Sequence, residues 1–158
     1  MTQEQNDSFE ILKKFLNSCR SAKGTIELKP MAVERATNDY KVFSSSLAVS
    51  FILEEVTPVG ICKIEKFGYK NPNASNIYEY LFLYEDCNNQ LGCLAFHKNP
   101  NEREKIKWKI KSLHKDDLGR HLGVDKDVYW LDSENIKQLG YETNIFFLEE
   151  SKNEVSSL

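Results

Sequence analysis

Residues 103–111 read Arg-Glu-Lys-Ile-Lys-Trp-Lys-Ile-Lys, a cation alternating with apolar bulk after the first pair. On a strand, successive side chains point to opposite faces. The pattern predicts Ile106, Trp108 and Ile110 on a buried side, with Arg103, Lys105, Lys107, Lys109 and Lys111 on the other. A helix would scatter an every-second-residue pattern around its circumference. Between residues 98 and 115 stand seven positive and two negative side chains, a local balance of +5 in a chain of formal charge −3. The chain as a whole offers polyanions no pull, but this segment creates a local potential suited to an acidic protein face or to phosphates. A single-stranded nucleic acid is the second candidate partner, with Tyr78, Tyr80 and Tyr84 offering rings for bases to stack on beside the cations. A plainer account exists for both groups. Edge-strand lysines keep sheets from pairing with one another, lysine recognises anions less specifically than arginine, and a tyrosine row is an ordinary packed sheet face. Period-two patterning does not say whether the lysines and tyrosines share a face.

A second constellation is His114 and His121 around Asp116 and Asp117, with Asp125 nearby. Imidazole and carboxylate together serve general acid–base chemistry, so a small hydrolase or nuclease centred there is a third reading. The spacing matches no metal-site pattern, and no metal or other cofactor is implied. Nucleophile signatures are missing: there is no G-x-S-x-G elbow and no phosphate-cradling glycine loop. Cys93 and His97 are four residues apart, about 13 Å on a regular strand, too far for a dyad. The adjacent pairs Glu54-Glu55 and Glu149-Glu150 point to opposite faces if they lie on strands.

These residues need a scaffold, and 158 residues with 41% apolar and 28% charged side chains suit one domain over residues 1–150, with 151–158 as a loose tail. The polar start lacks the features of a secretory signal, and no apolar run reaches membrane-spanning length, so a cytoplasmic protein without membrane contact is expected. Cys19, Cys62, Cys87 and Cys93 read as reduced thiols serving as small hydrophobes. A Cys87–Cys93 bridge across a hairpin is the alternative in an oxidising compartment.

Helical spacing of Phe9, Leu12, Phe15, Leu16 and Cys19 predicts an amphipathic helix over 8–23, with an Asp7/Glu10 capping box and Gly24 as its stop. A short strand follows over 25–29, and Pro30 can open a brief helix before a turn at Asn38-Asp39. Residues 40–56 alternate apolar side chains and predict a long strand, bent at Ser44-Ser45-Ser46. A turn at 57–60 leads to a returning strand over 61–67 and a loop over 68–76. Residues 77–84, apolar on both faces apart from Glu79, predict a central strand. Strands over 91–98 and 103–111 complete an antiparallel meander. Beyond it the pattern predicts a helical turn over 116–121, a strand over 128–131, a helix from Ser133 to Leu139 ended by Gly140, and a strand over 144–148.

The expected fold is therefore α+β: an N-terminal amphipathic helix on a mostly antiparallel sheet of about six to eight strands, with barrel-like curling as one form. One or two short C-terminal helices complete it. The expected function is a non-enzymatic intracellular binding protein that meets an acidic partner through the basic strand. Single-stranded RNA binding on the lysine and tyrosine surface is the alternative, and hydrolysis around His114 and His121 the second alternative.

Overall fold

A computed structural model describes residues 1–64, 79–116 and 128–142. Four helices and a six-stranded, mostly antiparallel sheet form an α+β fold, and the sheet is open rather than closed into a barrel. The expectations for 68–76, 116–121, 144–148 and 151–158 fall wholly or mainly outside the described residues.

The first helix, α1 (Gln3–Ser21), starts five residues before its expected position. Thr2 caps it, accepting from the Gln5 amide at 3.1 Å while the Gln5 side chain returns a bond to Thr2. Asp7 lies inside the helix and bonds Gln3 instead. The first turn is solvent-exposed, so apolar periodicity could not register it. Phe9, Leu12, Phe15, Leu16 and Cys19 form the buried stripe as expected. A 3-10 turn (Lys23–Thr25) leads to β1 (Ile26–Leu28). Pro30 opens α2 (Pro30–Tyr40), where its missing N–H costs nothing. The expected turn at Asn38-Asp39 is helical, and Lys41 ends the helix with a left-handed φ of 59°.

The long strand expected over 40–56 is instead α3 (Ser45–Glu54). Ser44 caps it, accepting from the Leu47 amide at 3.2 Å. Ala48, Val49, Phe51 and Ile52 are buried while Ser46, Leu47, Ser50 and Glu54 are exposed, a helical spacing. The apolar residues spill around the whole circumference, which made the segment look two-sided. The expected bend at the serine run is the start of this helix. Thr57–Gly60, expected as a turn, lies within β2 (Val56–Ile64). The register slips between Pro58 and Gly60, and such a bulge is where a strand tolerates proline.

The meander continues through β3 (Glu79–Asp86), β4 (Leu91–Lys98) and β5 (Trp108–Lys115), then β6 (Tyr129–Trp130) and α4 (Ser133–Gln138), capped by Asp132. Strand order is β1-β5-β4-β3-β2-β6, with β1 parallel to β5 and the other pairings antiparallel. β3 sits in the middle, as its two-sided apolar sequence predicted.

One sheet face carries Phe82, Tyr84, Leu94, Phe96, Trp108, Ile110 and Leu113 against the first three helices. The opposite face carries a smaller cluster around Cys62, Leu81, Leu83, Cys93 and Ala95. A bulge in β5 shifts which of its residues fall on each face. Ala95 pairs Ser112 while Phe96 pairs Ile110, so Lys111 is an extra residue and the alternation is reset beyond it.

The end of α4 is tied to the end of α1. Arg20 Nη2 donates to the Leu139 carbonyl, and the guanidinium lies 5.2 Å from the Tyr141 ring centroid. Gly140 has a φ of +86°, and a Cβ there would come within 3.0 Å of the Arg20 guanidinium. Gly140→Ala is expected to lower stability by about 1–2 kcal/mol, the cost of a left-handed L-residue. Thermal unfolding checks this, and an unchanged midpoint contradicts it.

Candidate partner-binding surface

The basic stripe is divided by the backbone. Only Trp108–Lys115 is strand, while residues 99–107 form a loop braced by its own side chains. The Asn99 amide donates to Glu104 Oε2 at 2.8 Å and to the Ile106 carbonyl at 2.7 Å. Its Oδ1 accepts from the Asn101 amide at 3.1 Å. Asn101 repeats the motif, accepting from the Arg103 amide at 3.2 Å and donating to Glu104 Oε1 at 3.0 Å. Short polar side chains that bond the backbone two residues ahead are the reason Asn builds turns. The bond from Asn99 holds the Glu104 carboxyl below its ordinary range against desolvation, with Asn101 and the Lys109 charge lowering it further.

One backbone bond closes this loop and another ties it to the 3-10 turn before β1. The Lys107 amide donates to the Thr25 carbonyl, and the Lys107 carbonyl accepts from the Asn99 amide, both at 2.8 Å. Arg103, Lys105 and Lys107 are exposed. Lys107 Nζ reaches the Glu102 carbonyl at 2.6 Å. The Lys105 side chain lies along the 3-10 turn, its Cε 3.6 Å from where a Cβ on Gly24 would stand. That contact brings the exposed Lys23 into the same neighbourhood. Lys98 ends β4 at this edge, with its exposed ammonium 5.9 Å from the Trp108 ring centroid. The exposed Lys105 and Lys107 thus lie beside the 3-10 turn that carries Lys23, and the exposed Lys98 ends the strand paired with Trp108. The loop's own carboxylates are Glu102 and the hydrogen-bonded Glu104. Lys23 was not singled out by sequence; eighty residues of separation hide its proximity to the loop.

The remaining members of the expected site lie elsewhere. Trp108 and Ile110 are buried on the helix side as the alternation predicted, but Ile106 is in the loop and half-buried. Lys109 and Lys111 are half-buried on the opposite sheet face, where Lys111 Nζ is 3.7 Å from Glu79 Oε2. Tyr80 is on the helix side, stacked on Phe96 at 5.7 Å, and Tyr84 is 0% exposed within the core. The tyrosine and lysine faces of the sheet therefore do not coincide, and these two rings are not presented to a ligand beside Lys109 or Lys111. Tyr78 and His121 lie outside the described residues.

His114 is buried and faces Cys93, its cross-strand partner on β4. Cys93 Sγ lies 3.5 Å from His114 Nε2 and 3.8 Å from Nδ1. Nδ1 is 2.7 Å from the Lys115 carbonyl; because a carbonyl only accepts, Nδ1 carries a proton and Nε2 is the nitrogen open to the thiol. Cys93 and His97, too far apart along one strand to pair, stay apart; the sheet register instead brings His114 to Cys93. All four cysteines are free thiols; Cys87 is exposed at the hairpin tip while Cys93 pairs with Leu83, so no bridge joins them. Among the described residues no three potential ligands cluster as a metal site, and no helix is long and apolar enough to cross a membrane.

No family model matches the chain, and comparisons with characterised proteins and with solved structures give no match.

Proposed function

We propose that the protein is a non-enzymatic binding protein that docks an acidic protein segment on the basic corner formed by Lys23, Lys98, Arg103, Lys105 and Lys107. What supports this reading is the exposure of these cations together with a loop braced by Asn99 and Asn101, whose Lys105 lies along the turn that carries Lys23. A braced loop loses little freedom on binding, and concentrated charge of one sign steers an oppositely charged partner into contact. Lys109 and Lys111 stand outside this corner, so the docking surface is smaller than the whole stripe and displaced toward β1. A cytoplasmic location belongs to the same reading, as free thiols suit a reducing compartment.

The test is fluorescence anisotropy with a labelled oligoglutamate peptide, set against a single-stranded oligonucleotide of equal charge. Wild type is expected to bind the peptide at low salt and to lose it as salt rises. The triple variant Arg103→Glu, Lys105→Glu, Lys107→Glu is expected to bind about tenfold or more weakly. Its thermal midpoint should stay close to wild type, because exposed substitutions rarely alter stability by more than about 0.5 kcal/mol. Equal binding by the triple variant, or binding of the oligonucleotide alone, overturns the proposal.

A further inference from the structure

Two cysteines of this chain are fully buried with 0% exposure, Cys19 on α1 and Cys93 on β4, and they differ in having a histidine beside them. Burial in the helix–sheet core pushes the Cys19 thiol up to about 12, with the Arg20 charge and a backbone bond opposing. No histidine is bonded to it among the described residues. Cys93 instead has a base in contact: His114 Nε2 at 3.5 Å, with the imidazole oriented by its Nδ1–H to the Lys115 carbonyl. A nucleophile within reach of a base, and that base held by a third group, is the arrangement that activates a thiol. With the thiol unexposed, the reagent suited to it is small and neutral rather than bulky or charged.

We propose that Cys93 is a peroxide-reactive thiol, with His114 as its proton acceptor and donor and a hydroperoxide as its substrate. The thiol passes its proton to His114 Nε2. The thiolate attacks one peroxide oxygen, an S–O bond forms and the O–O bond breaks. The departing oxyanion takes the proton from Nε2–H and leaves as water or an alcohol. The sulfur loses an electron pair to become a sulfenic acid, the peroxide gains that pair, and the imidazole is returned neutral. The sulfenic hydroxyl then has Nε2 as its acceptor.

Among the described residues, titratable and charged groups around the pair come from β3, α2 and β5, with Asp39 accepting from the Lys115 amide at 2.9 Å. Tyr84 on β3 and Tyr40 on α2 stand on the helix side, joined by a 3.0 Å hydroxyl bond and both kept neutral chiefly by burial. Glu85 on β3 lies two residues along from Leu83, the other cross-strand partner of Cys93. Lys115 and Asp116 follow His114 directly. This chemistry is independent of the basic corner at the other end of β4.

Dilute hydrogen peroxide with a sulfenic-acid trap, read cysteine by cysteine by mass spectrometry, tests the proposal in the intact chain. Cys93 is expected to be trapped at least about a hundredfold faster than Cys19, the lower end of what a positioned base contributes. His114→Gln is expected to bring Cys93 down to the Cys19 rate while Cys19 and the exposed Cys87 keep theirs. Matching rates for Cys93 and Cys19 in wild type overturn the proposal without any variant. An unchanged Cys93 rate in a His114→Gln protein with a wild-type circular dichroism spectrum overturns it as well.

Discussion

Phe15→Ala is expected to remove about 3–5 kcal/mol of folding stability, the usual cost of deleting a fully buried aromatic ring. Phe15 has 0% exposure and lies where α1 meets the sheet. Its ring stacks on Phe96 at 4.2 Å between centroids and meets Trp108 edge-on at 5.6 Å. Phe96 and Trp108 also contact each other, 5.9 Å between centroids, so Phe15 completes a three-ring cluster. Aromatic pairs contribute about 0.5–1.5 kcal/mol beyond their buried area, and alanine forfeits both contacts while leaving a cavity between rigid neighbours. The loss would be a large part of the roughly 5–15 kcal/mol that keeps a domain folded. Urea denaturation followed by tryptophan fluorescence measures it. Trp108 sits at the site, its indole N–H donating to Ser18 Oγ at 3.0 Å, so the probe reports the helix–sheet seam directly. A loss below about 1 kcal/mol, the centre of the range for ordinary substitutions, would mean that α1 is not seated there.

Gly92→Ala is expected to be destabilising although strand propensity alone predicts the reverse. Alanine normally gains about 0.5–1 kcal/mol over glycine inside a strand. At Gly92 a Cβ would stand 2.5 Å from Tyr40 Oη and 2.5 Å from both Cε1 and Cζ of Tyr84. The Tyr84 ring has no room to retreat, with Phe51 edge-on at 5.7 Å and Phe82 at 5.6 Å. Its hydroxyl bonds Tyr40 and approaches the His114 carbonyl at 3.4 Å. Overpacking of this kind costs about 1–3 kcal/mol, more where several rigid groups must move. Equilibrium unfolding checks the sign. A stabilised Gly92→Ala would mean that the tyrosine pair does not cross over β4 at this point.

Local sequence carries information where turns and terminators bound an element. β4 occupies residues 91–98 as expected, because polar turns bracket it on both sides. At its start Asp86 Oδ1 accepts from the Asn88 and Gln90 amides at 2.8 and 3.1 Å. At its end Asn99 begins the braced loop. α4 was equally legible, since Asp132 and Gly140 are terminators whose chemistry is local. α3 was not. Its alternating apolar residues satisfy a strand as well as a helix, and what decides is that Ala48, Val49, Phe51 and Ile52 have α1 and the sheet to cover them.

The candidate surfaces divide in the same way. The sequence by itself determined the α+β class, the central position of β3, the burial of Trp108 and Ile110, and the concentration of cations along residues 98–115. Each of these follows from residue type and short-range periodicity. Only the tertiary structure decided which cations are exposed and which histidine meets which cysteine. A backbone bond from Lys107 to Thr25 carries the loop to β1 and places Lys23 beside it. The extra residue at Lys111 reverses the alternation along β5. Without it His114 would share the face of Ile110 and point among the helices; with it the imidazole crosses to the side where Cys93 lies. A one-residue slip moves every later side chain to the other face, and a bulge is set by pairing with a neighbouring strand, which no stretch of β5 read alone contains.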